Sequence, residues 1–462
     1  MRGRPLVLPI TFHSRRNPPQ SDFYQTALSQ CGMTAARYVI LVWVVATRMF
    51  MLDVTKIGFR IGSVPLFFTD WVLLVLLSLT LALQPDKLCF WGSCGRGAGS
   101  IGRAVWLLCA ISLAYFGFAV PVYGILATRD LAIFGYSLFF PLTYWCLRDR
   151  LQAIRLARYF IYSGLVVATV AVIDRFVGSG FLLGRRAHSV FNWASIETIG
   201  GGDFGGICAF SLAGLFAYTL FDRKHRWLHG ICTVVSFVAL MAATTRSATI
   251  GVAAAMLYTA GVAGRGYRIG AVVVAGCFAS VVLLGSNLPT DFPTARFFRS
   301  FYLAIASAAG GTHTDPDAAF RISRWGYEFR LWREHPFFGV GYGTYILPFW
   351  AAPWEFRQGM FNAGMPHNTF LFVMVRMGLV GIGLIGFAWW AGLARLTRSF
   401  MRSHDADELA VANVLVAMLL FASFVLFFER PLNGPAFWIM LAAGARLAGP
   451  VSVRTTRLPA QA

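Results

Sequence analysis

Residues 369–394 read TFLFVMVRMGLVGIGLIGFAWWAGLA, and this stretch carries a single charge. An apolar run of roughly 17 to 25 residues spans a hydrocarbon core about 30 Å thick. Comparable runs recur along the chain, centred near residues 44, 74, 115, 138, 167, 213, 235, 256, 277, 380, 419 and 440. The composition agrees: 57% of residues are hydrophobic, 13% are charged and the mean hydropathy is +0.63. A globular surface needs far more charge than that. The sequence therefore predicts an all-α integral membrane protein of about twelve transmembrane helices, with one long loop containing an amphipathic helix.

The net charge of +20 would suggest nucleic acid as the partner of a soluble chain. Here the basic residues sit in short loops between apolar runs, which is a topology signal and speaks against nucleic acid. They are Lys87, Arg96 and Arg103; Arg148, Arg150, Arg155 and Arg158; Arg223, Lys224 and Arg226; Arg265 and Arg268; and Arg395, Arg398 and Arg402. All of these loops fall on one face, with the Arg454 and Arg457 tail, so both termini are expected in the cytoplasm. The resulting division is a cytoplasmic segment 1–34, helices one to nine over 35–285, a long periplasmic loop 286–366, helices ten to twelve over 367–447, and a cytoplasmic tail 448–462. The run from Tyr38 to Leu52 lacks a small-residue cleavage site and reads as a retained first helix. The eight cysteines are scattered, and a disulfide framework is not expected. Cys89 and Cys94 are spaced like half a metal site, but no second pair accompanies them.

Positive charge on the outer face works against the topology rule and asks for a reason. One outer loop, from Asp174 to Asp203, carries Arg175, Arg185, Arg186 and His188. The other is the long loop. Within it, Asp317 to His335 places Phe320, Trp325, Phe329 and Trp332 at helical spacing beside Arg321, Arg324, Arg330 and Arg333. This predicts an amphipathic helix started by Asp315, Pro316 and Asp317. The plainest placement for it is the headgroup layer, with Arg toward phosphates and Trp toward the acyl boundary.

Three further signals bear on chemistry. His367, in Pro366-His367-Asn368, stands where the long loop enters the tenth helix; it suits either a general base or a simple helix start, with Asn368 as another cap. Arg246, in Thr244-Thr245-Arg246-Ser247, sits in a tight outer turn, where it can hold a phosphate or snorkel to the interface. The run Pro336 to Gly343 is too irregular for a dinucleotide fingerprint, but its glycines let backbone approach a ligand or a neighbouring helix. Asp315 and Asp317 read better as a cap than as a metal-binding pair. Of the acids expected outside, Glu197, Asp203, Glu328, Glu334 and Glu355, spacing selects none as a base. His188, His313, His335 and His367 show no pair at metal-ligand helical spacing.

Taken in order, these pieces resemble the O-antigen ligase and polymerase superfamily. They are the outer Thr245 to Ala248 turn, Arg321 and Trp325, Pro336 with Gly339 and Gly341, and His367-Asn368 followed by Gly378 and Gly381. The segment Ile61 to Leu74, with Asp70, resembles that family's second helix. The resemblance implies transfer of a glycan from an undecaprenyl-pyrophosphate donor, at the periplasmic surface of the inner membrane, to an acceptor hydroxyl. A ligase uses lipid A core as acceptor, and a polymerase uses another lipid-linked repeat unit. Arg246 and Arg321 would bind and neutralise the pyrophosphate, and His367 would take the acceptor proton. Arg185, Arg186, Arg324 and Asn368 would make further substrate contacts. No metal, nucleotide sugar or other cofactor is implied; membrane lipids are the remaining partners. The shared motifs do not separate ligase from polymerase. A transporter or flippase is the rival of a different class, and it would call for ionisable residues near the midplane and repeated halves.

Overall fold

The computed structural model describes residues 20–56, 58–61, 64–83, 98–177, 202–243, 245–264, 267–268, 316–344, 368–425 and 433–449. The described residues form a helical bundle with one short hairpin. The elements are α1 (Gln20–Lys56), β1 (Gly58–Ile61), β2 (Val64–Phe67), α2 (Phe68–Leu83), α3 (Gly99–Tyr123), α4 (Ile125–Gly135), α5 (Phe139–Cys146), α6 (Arg150–Val177), α7 (Gly202–Phe221), α8 (Arg226–Ala242), α9 (Arg246–Val262), α10 (Pro316–Glu334), α11 (Thr369–Ser403), α12 (Ala406–Ala422) and α13 (Asn433–Leu447). Ten of the twelve expected helix centres fall within these helices, the one near 138 falls in a 3-10 turn between α4 and α5, and the one near 277 lies outside the described residues.

Among the described residues, five stretches are long and apolar enough to cross a membrane: Gln30–Met49, Gly99–Tyr123, Arg150–Ile173, Phe204–Phe221 and Thr369–Ser403. Several other expected spans prove shorter. The fourth is split by a 3-10 turn, Tyr136–Leu138, and every residue of α5 is buried. α12 is apolar all round and buried along almost its whole length, as is α13. A helix with no polar face belongs inside a protein as readily as inside lipid.

α12 is the axis of the bundle, and it runs antiparallel to α7. Asp407 at its start accepts a hydrogen bond from Tyr218 at 2.8 Å, and Asn413 Nδ2 donates to the Ala213 carbonyl at 3.1 Å. Phe421 near its end meets Phe210 edge to face. At the end of the bundle where α12 starts, Arg150 bonds Asp405 (2.8 Å) and Glu408 (2.7 Å), and Arg158 bonds Asp407 (2.9 Å). Ser399 and Ser403 of α11 also bond Glu408, Arg395 bonds Ser100, and Phe221 stacks on Tyr267. The basic segments around 103, 150, 223, 268 and 398 thus gather at one end.

Two boundaries differ from expectation. α1 starts at Gln20, so it takes in part of the segment read as a polar tail. The stretch Ile61 to Leu74 is not helical throughout, since β2 precedes α2 and pairs with β1 from Gly58↔Phe67 to Ile61↔Val64. Asp70 closes the junction by accepting from the Phe67 amide (2.8 Å) and the Tyr136 hydroxyl (2.8 Å), which fixes the first turn of α2. Cys89 and Cys94 lie outside the described residues, and Cys31, Cys109, Cys146, Cys208 and Cys232 are free thiols.

Candidate functional site

Opposite the carboxylate end, the last residues after α12 expose the carbonyls of Phe424 and Val425. Arg321 Nη1 donates to the first at 2.7 Å, and Thr369 Oγ1 donates to the second at 3.0 Å. Two segments nearly fifty residues apart in sequence are therefore tied to adjacent peptide units. Asn368 opens α11 as its N-cap, its Oδ1 accepting from the Leu371 amide at 3.1 Å. Of the two roles open to Asn368, capping occupies that oxygen. His367, Arg185 and Arg186 lie outside the described residues; His367 directly precedes Asn368 in the chain.

The Thr245–Arg246 turn belongs to the same end. Arg246 is the first residue of α9, Thr245 is its extended N-cap residue, and the Thr245 and Ser247 side chains are buried. A Cβ at Gly205 would overlap the Thr245 side chain, while one at Gly206 would press on Phe421. The start of α7 therefore sits between the turn and the end of α12. A guanidinium on the first turn of a helix also adds to the positive end of the helix dipole, which favours an anion there.

α10 occupies almost the predicted residues, but its orientation departs from the headgroup picture. Arg324 and Glu328 are buried and Arg321 is half-buried, whereas Ile322 and Phe329 are exposed. Arg321, Arg324, Trp325 and Glu328 fall at i, i+3, i+4 and i+7, so the inward face is the charged one. Trp325 nevertheless lies on that face, tilted against Phe424. Burying charge is costly unless it is compensated, and helices that turn charge inward do so at functional or structural sites. Among the described residues no group of three or more His, Cys, Asp or Glu side chains is placed to hold a metal.

The glycine run after α10 has a use that its sequence left open. α11 breaks at Gly378, where φ is 61°. Pro336 to Gly341 fills the break and restores the lost backbone pairing. Val340 N–H donates to the Val375 carbonyl (2.7 Å) and Gly341 N–H to that of Arg376 (3.2 Å). In return, Leu379 and Val380 N–H groups donate to the Pro336 (2.9 Å) and Phe337 (3.2 Å) carbonyls. A Cβ at Gly339 would strike the backbone of residues 375–377, and one at Gly378 would strike that of Phe337 and Phe338. Both positions need glycine for close approach as well as for positive φ. Inside a bilayer, a broken helix requires this kind of backbone compensation.

Side chains lock the same loop. Gly343 N–H donates to Asp130 Oδ2 at 2.7 Å, and Arg376 Nε lies 3.2 Å from the same oxygen. Arg376 Nη1 also donates to the carbonyls of Gly341 (3.1 Å) and Thr344 (2.7 Å). Tyr342 stacks on Phe134 and donates to Ser112 Oγ at 2.7 Å, and the Tyr115 hydroxyl donates to the Phe338 carbonyl. Sequence reasoning missed Asp130 and Arg376. Ionisable residues within apolar runs were the available signal.

No curated protein matches the chain. Residues 231–386 match the family model described as O-antigen ligase, an interval running from α8 through α10 and the glycine loop past the break in α11. That interval contains Arg246, Arg321, Arg324, His367, Asn368 and Gly378; over this third of its length the chain is similar to the O-antigen ligase family, and its long apolar helices make it a multi-pass membrane protein.

Proposed function

We propose that the chain is a ligase that moves a glycan from undecaprenyl pyrophosphate to a hydroxyl of lipid A core, at the periplasmic face of the inner membrane. The observation that carries this reading is the pair of neighbouring carbonyls, Phe424 and Val425, which hold Arg321 and Thr369 side by side. Thr369 is two residues from His367, so one peptide unit separates the anchoring of the phosphate-binding arm from that of the base-bearing arm. In the proposed step, the His367 imidazole takes the proton of the acceptor hydroxyl. The acceptor oxygen forms a bond to the anomeric carbon as the bond from that carbon to the pyrophosphate oxygen breaks. Arg246 and Arg321 stabilise the negative charge that gathers on the leaving pyrophosphate, a function that fixed cations perform well in a site of low dielectric. Arg324 on the inward face of α10, with Arg185 and Arg186 of the 174–203 loop, supplies further phosphate contacts.

The test is a deletion complemented with wild type or with His367→Ala, comparing lipopolysaccharide ladders with the pool of carrier-linked glycan. Loss of long polymer from lipid A core, its accumulation on the carrier, and no rescue by His367→Ala support a ligase with that base. Core capped by a single repeat makes the chain a polymerase. Unchanged pools overturn the lipopolysaccharide reading.

A further inference from the structure

At the basic end of the bundle, several arginines have partners: Arg150 and Arg158 have carboxylates, Arg148 the Gln30 carbonyl and Arg446 the Tyr144 carbonyl. Two others share a cavity instead. It lies between α1, α5 and α6, encloses about 220 Å³, and is lined on its polar side by Thr34, Arg37, Tyr38, Gln152, Arg155 and Tyr159. Its remaining lining includes Ile40 and Leu156, and it contains no carboxylate. Arg37 Nη2 donates to Thr34 Oγ1 at 2.9 Å, but its Nε is shielded from solvent without a hydrogen-bond partner among the described residues. Arg155 has neither a hydrogen bond nor an ion pair among the described residues.

Two guanidiniums facing one cavity without a counter-charge repel each other, and an anion between them removes that penalty. The surroundings say what the anion is attached to. Tyr38 and Tyr159 stand at the rim, 63% and 50% exposed, as aromatic side chains do at headgroup depth. Beyond them, on the same helices, Val42 and Val166 are exposed and continue an apolar track away from the cavity. A free phosphate would have no use for that track, but an acyl chain would. We propose that this cavity is a binding site for an anionic phospholipid, with its phosphate between Arg37 and Arg155 and its acyl chain along Tyr38, Val42 and Val166. The site lies at the opposite end of the bundle from Arg321, and the proposal does not depend on the reaction assigned there.

The full chain in nanodiscs of phosphatidylcholine with increasing phosphatidylglycerol, followed by native mass spectrometry of retained lipid, tests the site. Wild type is expected to keep one phosphatidylglycerol in preference to phosphatidylcholine. Arg37→Gln with Arg155→Gln weakens that retention roughly thirtyfold, and the exposed Arg155→Gln alone roughly fivefold, as loss of two or one cations near an anionic surface predicts. Lysine at both positions keeps most of the affinity, and Arg226→Gln, exposed elsewhere on this end, leaves it unchanged. Equal retention by the glutamine variants, or no preference over phosphatidylcholine, overturns the site. If inorganic phosphate in pure phosphatidylcholine discs raises the thermal midpoint as much as phosphatidylglycerol does, the lipid assignment falls and the cavity is a free-anion site.

Discussion

The two ends of α12 hold arginines in different ways. At its start, Asp405, Asp407 and Glu408 supply carboxylates to Arg150 and Arg158, and those acids also sit where the helix dipole favours negative charge. At its finish, Arg321 meets the Phe424 carbonyl. A carboxylate both orients a guanidinium and cancels its charge, whereas a carbonyl orients it while supplying no formal counter-charge. The first arrangement cements helices; the second orients the guanidinium to which we assign a contact with the pyrophosphate. The same economy of means reappears at the break in α11, where backbone groups do the joining and the Asp130–Arg376 pair holds the loop in place.

The comparison makes graded predictions. The largest effect is expected from Arg321→Ala, which should lower glycan transfer by about a hundredfold to a thousandfold while protein level and thermal midpoint stay near wild type. A matching loss of stability would make Arg321 a structural residue like Arg150. Next, Asp130→Asn leaves Arg376 buried beside a neutral amide and should cost about 3 kcal/mol in stability, read as a lower unfolding midpoint in detergent. Glu408→Gln at the other end should cost less, about 2 kcal/mol, because Arg150 is 29% exposed and water screens part of the pair. Transfer per folded molecule should be unchanged in that variant. If transfer falls instead, the separation between a cementing end and a working end is wrong. The smallest effect is expected from Tyr342→Phe, which loses one hydrogen bond to Ser112 and should cost about 1 kcal/mol.

Hydropathy and spacing determined much of this protein by themselves. Apolar runs marked the helices because a helix satisfies its own backbone and leaves only its side chains to choose a solvent. α10 was legible nearly to the residue for a related reason, since helical periodicity is a local property. The clustering of basic segments at one end was readable from charge alone. What the sequence did not determine is which way α10 turns its charges, because inward and outward faces are chosen by what packs against them. Nor did it show that residues 336–341 complete the hydrogen bonds of 375–380, or that Asp130 meets Arg376. Backbone pairing between distant segments leaves no trace in side-chain type except the glycines that permit it, and the partner of a buried charge is settled only when the helices carrying it come together.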